Sequence, residues 1–430
     1  MVNAQQSDPV ASADGSAATV AETRRHRSGF WAVAFALVIV MASATLPSPL
    51  YGLYRIRDHL SSLTVTVIYA IFAAGTIAAL LSVQFIVSRA GRRGAMLGAV
   101  ATMMAAAGLL AAWKALPGLL IGRLITGVGV GLAAGTAFVY LIELRARANP
   151  GGSPARAQTI GSAATVGALG LGPLIAGCLA EWAGSPLTLP YLIFVGLGAI
   201  ALIGLVGAPE TGIPAAAGKS QASGSSRSGK VLVPGAVATL AAFAANGLFA
   251  GLSGLFLTTT LHHPSHALSG ASLFLVFSSG VAAQLATSGL PASRVLALGT
   301  ISMLIGLALL VTAVRLSTPS LALFLVSGAL IGAGAGAVFK GTTGLVLGAT
   351  APEHRLAATS DLLIALYVGL SIPVIGAGLA LDRGASPQDT VLGFAVVVGL
   401  GVAGAGALLG RGLSGQSTDR PPKRQLAVRD

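Results

Sequence analysis

Charged side chains are scarce in this sequence, at 9% of its 430 residues, against about 25% in a typical soluble chain. Acidic residues are the scarcest, with 13 Asp and Glu against 26 Lys and Arg. Because such a small number of charges cannot cover the water-facing surface of a folded chain of 430 residues, most of the exposed area is expected to face lipid. The single cysteine, Cys178, excludes a disulfide framework and a cysteine-based metal site within one chain.

Three further absences narrow the function classes. The sequence has no G-x-x-x-x-G-K-[ST] loop, which argues against a primary pump driven by nucleotide hydrolysis. It also has no candidate catalytic cluster, so we expect no enzyme, no cofactor and no metal centre. Basic residues are not interleaved with aromatic ones, and no nucleic-acid-binding module is recognisable, which argues against a nucleic-acid partner.

Long apolar runs are what the chain has in abundance, and each is long enough to cross a bilayer as a helix of about 20 residues. Six runs precede and six follow a Ser- and Gly-rich stretch that reads as a flexible linker. The predicted spans are 29–52, 64–88, 95–115, 116–142, 157–182, 188–208, 231–260, 268–288, 293–315, 319–349, 356–381 and 389–410. The predicted fold is therefore an all-α membrane protein of twelve transmembrane helices in two six-helix halves.

The domain organisation follows from these runs. We expect six-helix bundles at 29–208 and 231–410, joined by a cytoplasmic linker at 209–230. Polar tails are expected at 1–28 and 411–430, the first of them disordered.

Basic residues predict the topology. With the N-terminus in the cytoplasm, 19 of the 26 Lys and Arg fall in cytoplasmic segments and five in outer loops. This asymmetry, together with an even number of spans, places both termini in the cytoplasm of a bacterial cytoplasmic membrane.

The two halves resemble each other at an offset near 200 residues. Three features recur in the same order on either side of the linker: a basic loop, a glycine-rich span, and an arginine followed 17 or 18 residues later by proline. The matched pairs are Ser88–Arg93 with Ser288–Arg294, Gly127–Gly131 with Gly332–Gly336, and Arg156 and Pro173 with Arg355 and Pro373. Such duplications place the substrate site near the midplane, between halves that rock against each other.

With these motifs, the chain resembles a major facilitator superfamily transporter over nearly its whole length. The segment 84–93 resembles the loop after the second span, G-x-L-A-D-R-x-G-R-R, with Gln84 at the glycine position and Ser88 at the aspartate. In that family the aspartate helps to latch the cytoplasmic gate. The resemblance implies gating roles for Arg89, Gly91, Arg92 and Arg93.

Two other segments extend the resemblance. Arg123 with Gly127 and Gly129 resembles the span-four motif R-x-x-x-G-x-G, which the family links to proton coupling. The segment Gly170–Pro173, followed by Gly177, resembles the span-five motif of the superfamily's antiporters and implies efflux rather than uptake.

The same glycines and proline also have a purely physical interpretation. Gly127 and Gly131 lie one turn apart on a stripe that lets another helix approach closely, either as plain packing or to allow sliding during transport. Pro173 cannot donate its helical hydrogen bond, and with Gly172 beside it we expect a kink, either static or acting as a hinge.

Ionisable side chains within the spans are the candidate coupling residues. Arg123 lies about 9 Å into span four, where a charge is costly unless it faces a cavity or a partner. The acids closest to span interiors are Asp361, early in span eleven, and Glu143, at the inner end of span four. We expect Arg123 and Asp361 to take part in coupling, with Glu143 as the next candidate. The alternatives are that the Arg123 side chain extends to the membrane surface and that Glu143 and Asp361 are ordinary charges near the ends of their spans.

Five other polar side chains are candidates for the substrate cavity. Each could instead make a helix-to-helix hydrogen bond, and the lysine could extend to the membrane surface. They are Tyr69, Asn246, Gln284, Lys340 and Tyr367.

These features favour a monomeric secondary antiporter that expels small amphipathic compounds in exchange for protons. The lack of deep acids suits neutral or anionic, largely apolar substrates. A proton symporter for uptake of a sugar, an organic acid or another nutrient, and a non-transporting membrane sensor, remain the alternatives.

Overall fold

The computed structural model describes residues 9–151, 155–211, 226–351 and 354–417, and every regular element among them is helical. A short 3-10 turn, Ser48–Leu50, connects α1 to α2. The helices are α1 (Pro9–Thr45), α2 (Tyr51–Asp58), α3 (Ser62–Ala112), α4 (Leu116–Ala148), α5 (Ala155–Trp182), α6 (Leu189–Val206), α7 (Ser226–Thr259), α8 (His266–Ala286), α9 (Ala292–Arg315), α10 (Leu321–Ala349), α11 (Arg355–Asp382) and α12 (Pro387–Ser417).

Helix α3 holds two membrane spans. Its 51 residues would extend about 77 Å as one straight helix, far beyond the roughly 30 Å of a bilayer core. It breaks at Gly91, whose φ of 73° and ψ of 177° are not helical. Its two arms are spans two and three, and α2, with eight residues, is too short to cross. The predicted twelve-span fold is confirmed for the described residues.

The helix ends differ from the predicted domain boundaries. Helix α1 begins at Pro9, so much of the segment expected to be a disordered tail is helical, because alanine, the strongest helix former, recurs through it. Helix α7 begins at Ser226 and α12 continues to Ser417, inside the predicted linker and the predicted C-terminal tail. Residues 1–8, 212–225 and 418–430 lie outside the described part of the chain.

The outer surface of the helix bundle is apolar. Large aliphatic side chains along the helices are more than two-thirds exposed, among them Leu81, Ile203, Val397 and Leu400. Apolar surface on this scale would not be stable in water, so these side chains face the hydrocarbon interior of a membrane.

The two halves meet through two matched helix pairs. Helix α5 of the first half packs on α8 of the second, and α3 packs on α11. Small residues allow the close approach: a Cβ atom at Gly170 would lie 2.9 Å from the Cα of Phe274, and one at Gly270 would overlap the carbonyl of Pro173. The halves are therefore joined by the second and fifth spans of each repeat.

Candidate functional site

Arg123 is the largest fully buried side chain of the described residues. Its guanidinium donates hydrogen bonds to the carbonyl oxygens of Ala44, at 2.7 Å, and Tyr69, at 3.2 Å. It also lies 4.8 Å from the centre of the Phe72 ring, a cation–π contact. No carboxylate of the described residues lies within 4 Å of it. The charge is therefore balanced by carbonyl dipoles, including the negative end of α1, and by ring faces. Its complete burial excludes a side chain that reaches the membrane surface.

The proline kink of α5 is connected to the same end of α1. Pro173 has no N–H, so the carbonyl of Leu169, four residues earlier, lacks its helical donor. The hydroxyl of Thr45 fills that place with a 2.5 Å hydrogen bond. Gly172, beside the proline, lies directly against the backbone of Ala42. The last residues of α1 thus bind both Arg123 on α4 and the kink on α5.

A line of aromatic rings extends from Arg123 to the second half. The ring centres of Tyr69 and Phe72 are 5.7 Å apart, and those of Phe72 and Tyr367, on α11, are 6.1 Å apart and nearly perpendicular. Tyr51 packs edge-on against Tyr69 at 6.4 Å. Two predicted cavity residues, Tyr69 and Tyr367, therefore lie in one aromatic cluster that crosses between the halves.

Several buried polar atoms near this cluster have no hydrogen-bond partner among the described residues. They include the hydroxyls of Tyr51, Tyr69 and Ser371 and the Oδ1 of Asn246. A Cβ at Gly251 of α7 would lie 3.5 Å from the Tyr69 ring and would contact Val374 of α11, so α3, α7 and α11 converge here. An unpaired buried polar group costs free energy, which makes these atoms candidates for contacts to a bound compound or water.

Gln284 and Lys340 lie elsewhere, at the end of the second half that the predicted topology makes the inner end. Lys340 donates to the Gln284 carbonyl at 2.6 Å, where the last turn of α8 leaves its carbonyls free. The Gln284 side chain accepts a 2.6 Å hydrogen bond from Ser162 of α5, which connects the two halves. Gln284 is 18 residues from the start of α8, about 27 Å, whereas Tyr69 is only two turns into α3. The structure therefore does not bring the five predicted cavity residues into one place.

The inner end of the first half is organised by Glu210, which sequence analysis did not single out. Its carboxylate accepts the backbone N–H groups of Arg92 and Arg93 at 2.9 Å each, at the start of the second arm of α3. A Cβ at Gly91 would lie 2.5 Å from Glu210 Oε2, so the glycine makes room for this contact. Gly91 thus has a positive φ and also lies close to the Glu210 carboxylate. Each of these features alone disfavours a residue with a side chain.

Glu143, predicted as a coupling residue, is held in the same network. It forms an ion pair with Arg92 at 2.7 Å and accepts a 2.6 Å hydrogen bond from Thr211. Along α4 it lies 20 residues from Arg123, about 30 Å. The structure therefore separates these two predicted coupling residues.

In the described part of the chain, the remaining residues of the basic loop form no hydrogen bond, ion pair or ring contact with the second half. The Ser88 hydroxyl donates to Phe85 of its own helix, and the Arg89 guanidinium lies 4.1 Å from the Phe85 ring centre. Each of the three ion pairs of the described residues joins two residues of the same half, two of them in the first half and one in the second. Among the residues that the structure describes, no ion pair therefore latches the two halves together at the end where Ser88 lies.

The glycine stripe of α4 serves packing within one half. A Cβ at Gly127 would overlap the carbonyl of Phe72, and one at Gly131 the carbonyl of Thr76, both on the first arm of α3. The stripe therefore fits two helices of the same half tightly together and does not face the second half.

Asp361, the preferred coupling acid, is exposed on α11, and no described residue forms a hydrogen bond or ion pair with it. It lies six residues, about 9 Å, from the start of that helix. Asp361 and Arg123 lie on different helices of different halves, without a contact between them.

At the opposite end of the bundle, which the predicted topology makes the outer end, two acids connect the halves. Glu181 of α5 accepts the N–H groups of His266 and Ala267, the first two residues of α8, at 2.7 and 3.3 Å. Asp382 of α11 accepts those of Ser62 and Leu63, the first two residues of α3, at 2.9 and 3.1 Å. We call these two carboxylates, Glu181 and Asp382, the outer caps.

The outer caps are matched in detail. The preceding N-cap serine, Ser61 or Ser265, accepts the N–H of the third helical residue at 3.1 Å in both helices. The carboxylates are 201 residues apart in sequence and the serines 204, close to the repeat offset. Neither acid was among the site residues predicted from the sequence; their shared spacing from the serines was the signal that could have paired them with α8 and α3.

Comparison with known proteins identifies the fold. The sequence profile of the family described as "Sugar (and other) transporter" matches residues 12–152. Comparison with curated protein sequences gives no significant match. A bacterial homologue of the human lysosomal transporter Spinster, solved in an inward-facing and occupied conformation, aligns with a TM-score of 0.66 and 15% identity over 92% of this chain and 98% of that one. A point mutant of the nucleoside transporter NupG aligns with a TM-score of 0.64 and 12% identity over 91% of this chain and 100% of that one. The chain has the major facilitator fold, and these matches support a membrane transporter of that type.

Proposed function

We propose that this protein is a secondary active transporter that exports small amphipathic compounds in exchange for protons, by rocking of its two halves. The outer caps carry this proposal. They add four hydrogen bonds to backbone N–H groups at the end of the bundle where α3 also packs on α11 and α5 on α8. These bonds can break without loss of the core of either half. At the inner end, the described residues connect the halves by the single hydrogen bond from Ser162 to the Gln284 side chain, at 2.6 Å, and by no ion pair. Such an arrangement suits a state that is closed outside and readily opened inside.

The caps also suggest how the closed state is balanced. A carboxylate at a helix N-terminus contributes about 0.3–1 kcal/mol, and two of them contribute about 0.6–2 kcal/mol to closure. This is small enough for a bound substrate or a proton to overcome, since a shift between conformations requires only a matching difference in binding free energy.

The substrate class follows from the central cluster. Its rings, Tyr69, Phe72 and Tyr367, offer apolar faces, while the unpaired hydroxyls and the Asn246 oxygen offer a few polar contacts. Arg123 adds a positive charge behind the rings. Together these groups favour neutral or anionic compounds with an apolar body.

Uptake by proton symport is the second candidate. The match of residues 12–152 to a sugar transporter profile favours it, whereas the antiporter-like glycines and the Pro173 kink favour export. The direction of flux under an imposed pH gradient distinguishes them. In proteoliposomes, an antiporter moves substrate in the direction opposite to the proton flow. A symporter moves substrate and protons in the same direction. A panel of amphipathic dyes, sugars and nucleosides defines the substrate, and equal flux with and without the protein for every compound would reject transport.

The role of the outer caps is tested by thiol accessibility. Thr66 is fully buried between α3 and α11, where Gly378 packs against it. In a Cys178→Ala background, Thr66→Cys reports opening of the outer end through its rate of reaction with a membrane-impermeant maleimide. We expect Glu181→Gln or Asp382→Asn to raise that rate about fivefold, the equivalent of about 1 kcal/mol, and both together to raise it further.

The matched control is Asp389→Asn. Asp389 is an exposed outer-end acid that pairs with Arg315 at 2.6 Å within the second half. Its substitution should leave the labelling rate unchanged. If it raises the rate as much as the cap variants do, the effect belongs to outer charge in general and not to contacts between the halves.

A further inference from the structure

A cavity of about 300 Å³ lies at the inner ends of α1 and α4, far from the central cluster. Its lining combines two cationic side chains, one amide, one indole and one methyl group: Arg27, Arg145, Asn149, Trp31 and Ala148. Its volume is at the lower end of the range for small-ligand sites. It opens on the end of the bundle that carries most of the basic residues.

The two arginines of this cavity have no partner in the described part of the chain. Neither guanidinium takes part in an ion pair or a hydrogen bond there, and the Nε of Arg145 is buried as well as unpaired. Glu143, the acid nearest to Arg145 in sequence, is already bound to Arg92 and Thr211. Two unpaired guanidinium groups around one cavity bind phosphate or carboxylate groups well, because each presents a planar fork of N–H donors.

The aromatic residues of α1 at and next to the cavity indicate a lipid. Trp31 follows Arg27 by one turn of α1 and is 53% exposed, and Phe35, one turn deeper, is 37% exposed. Charge, indole and phenyl ring thus follow one another along one face of α1. Tryptophan is enriched at the level of lipid headgroups, and this order matches a phosphate headgroup followed by acyl chains.

We propose that this cavity binds the phosphate headgroup of an anionic membrane lipid, with Arg27, Arg145 and Asn149 at the phosphate and Trp31 and Phe35 against the glycerol and acyl chains. A free phosphate ion would use the same arginines but would gain nothing from the two aromatic rings. The site is separate from the substrate cluster and does not depend on the direction of transport or on the substrate.

Tryptophan fluorescence tests the proposal directly. The chain has three tryptophans, and the other two, Trp113 and Trp182, lie at the opposite end of the bundle. The variant Trp113→Phe with Trp182→Phe therefore leaves Trp31 as the only reporter. In nanodiscs of equal brominated-lipid content, brominated phosphatidylglycerol should quench Trp31 more strongly than brominated phosphatidylcholine. We expect each arginine to raise the affinity for phosphatidylglycerol relative to phosphatidylcholine about fivefold, since one basic side chain near an anionic surface contributes about 1 kcal/mol.

Two charge variants decide the origin of this preference. Arg27→Gln with Arg145→Gln should remove the preference for phosphatidylglycerol while the overall quenching by phosphatidylcholine stays the same. Arg294→Gln, an exposed arginine at the same end of the second half, should keep the preference. Equal quenching by both lipids in the parent protein, or equal loss in the Arg294 variant, would overturn the proposal.

A final arm separates the lipid from a free anion. Inorganic phosphate at millimolar concentration should leave the phosphatidylglycerol preference intact after correction for ionic strength with chloride. If phosphate abolishes the preference and chloride does not, the cavity is an anion site and not a lipid site. Circular dichroism and gel filtration of each variant establish that it is folded before its quenching is compared.

Discussion

Thr45, at the last residue of α1, donates its hydroxyl to the carbonyl oxygen of Leu169, which the proline of α5 leaves free. Its neighbour Ala44 accepts the hydrogen bond from Arg123. The end of one helix therefore holds both the buried charge of α4 and the kink of α5. Because α5 packs on α8 of the second half, a change at Arg123 can reach the contact between the halves through only two adjacent residues.

The Thr45→Val variant tests this connection. Valine keeps the shape of threonine and removes the donor, which leaves a buried carbonyl unpaired at a cost of about 1–3 kcal/mol. We expect lower thermal stability in detergent and a transport rate reduced several-fold at equal protein in the membrane.

The control is Thr102→Val. Its hydroxyl donates to Gly98 of its own helix at 2.7 Å, and that carbonyl keeps its helical donor. Stability and transport should be close to those of the parent. Parent-like transport by Thr45→Val at normal stability would show that the hydroxyl is dispensable to the transport cycle.

Substitution of Arg123 tests whether a charge, or this particular geometry, is needed. The guanidinium binds two carbonyls on two helices, Ala44 on α1 and Tyr69 on α3, and an ammonium is a point charge that lacks the planar fork. We expect Arg123→Ala to abolish transport and Arg123→Lys to retain only a small part of it.

Membrane insertion should be intact in both variants, measured as monodisperse protein after extraction. Arg294→Ala removes an exposed arginine and should transport normally. A normal rate and normal pH dependence for Arg123→Ala would limit Arg123 to a structural role.

Gly91 offers a test of the inner end of the first half. Alanine there is strained by about 1–3 kcal/mol because the backbone adopts a region open essentially to glycine alone, and its Cβ would displace Glu210. We expect Gly91→Ala to lower the melting temperature clearly. Gly98→Ala, at a helical glycine with no atom within 4 Å of an added Cβ, should leave it unchanged or raise it. The two melting curves, recorded side by side, measure the difference, and equal curves would show that Glu210 adapts without cost.

Sequence analysis predicted the number of spans and the duplicated halves well, because a bilayer imposes helix length and apolar composition directly on the sequence. It also singled out Arg123 as a deep charge, and its role in coupling stays a prediction. The predicted spans already placed Tyr69 near the start of span two and Gln284 near the end of span eight, which runs in the same direction. The five cavity candidates were chosen by side-chain type and not by depth. Glu210 was missed because its partners are backbone N–H groups, which leave no pattern in side-chain identity.

Proton coupling is the most demanding prediction. Asp361 is exposed on α11 and has no partner in the described part of the chain, so its carboxylate is free to take up and release protons. Glu143 is bound to Arg92 and Thr211, and it would have to break both contacts to do the same. We therefore expect Asp361→Asn to remove the dependence of flux on an imposed pH gradient in proteoliposomes, while exchange of substrate down its own gradient continues.

Glu143→Gln is the matched comparison, because it removes the same charge from a paired acid. It should lower thermal stability through loss of the Arg92 ion pair and leave the response to the pH gradient in place. The reverse outcome, with Asp361→Asn still coupled and Glu143→Gln uncoupled but stable, would move the proton site to the inner end of α4. If the parent protein itself ignores the gradient, neither acid carries a proton and the driving force lies in the substrate or another ion.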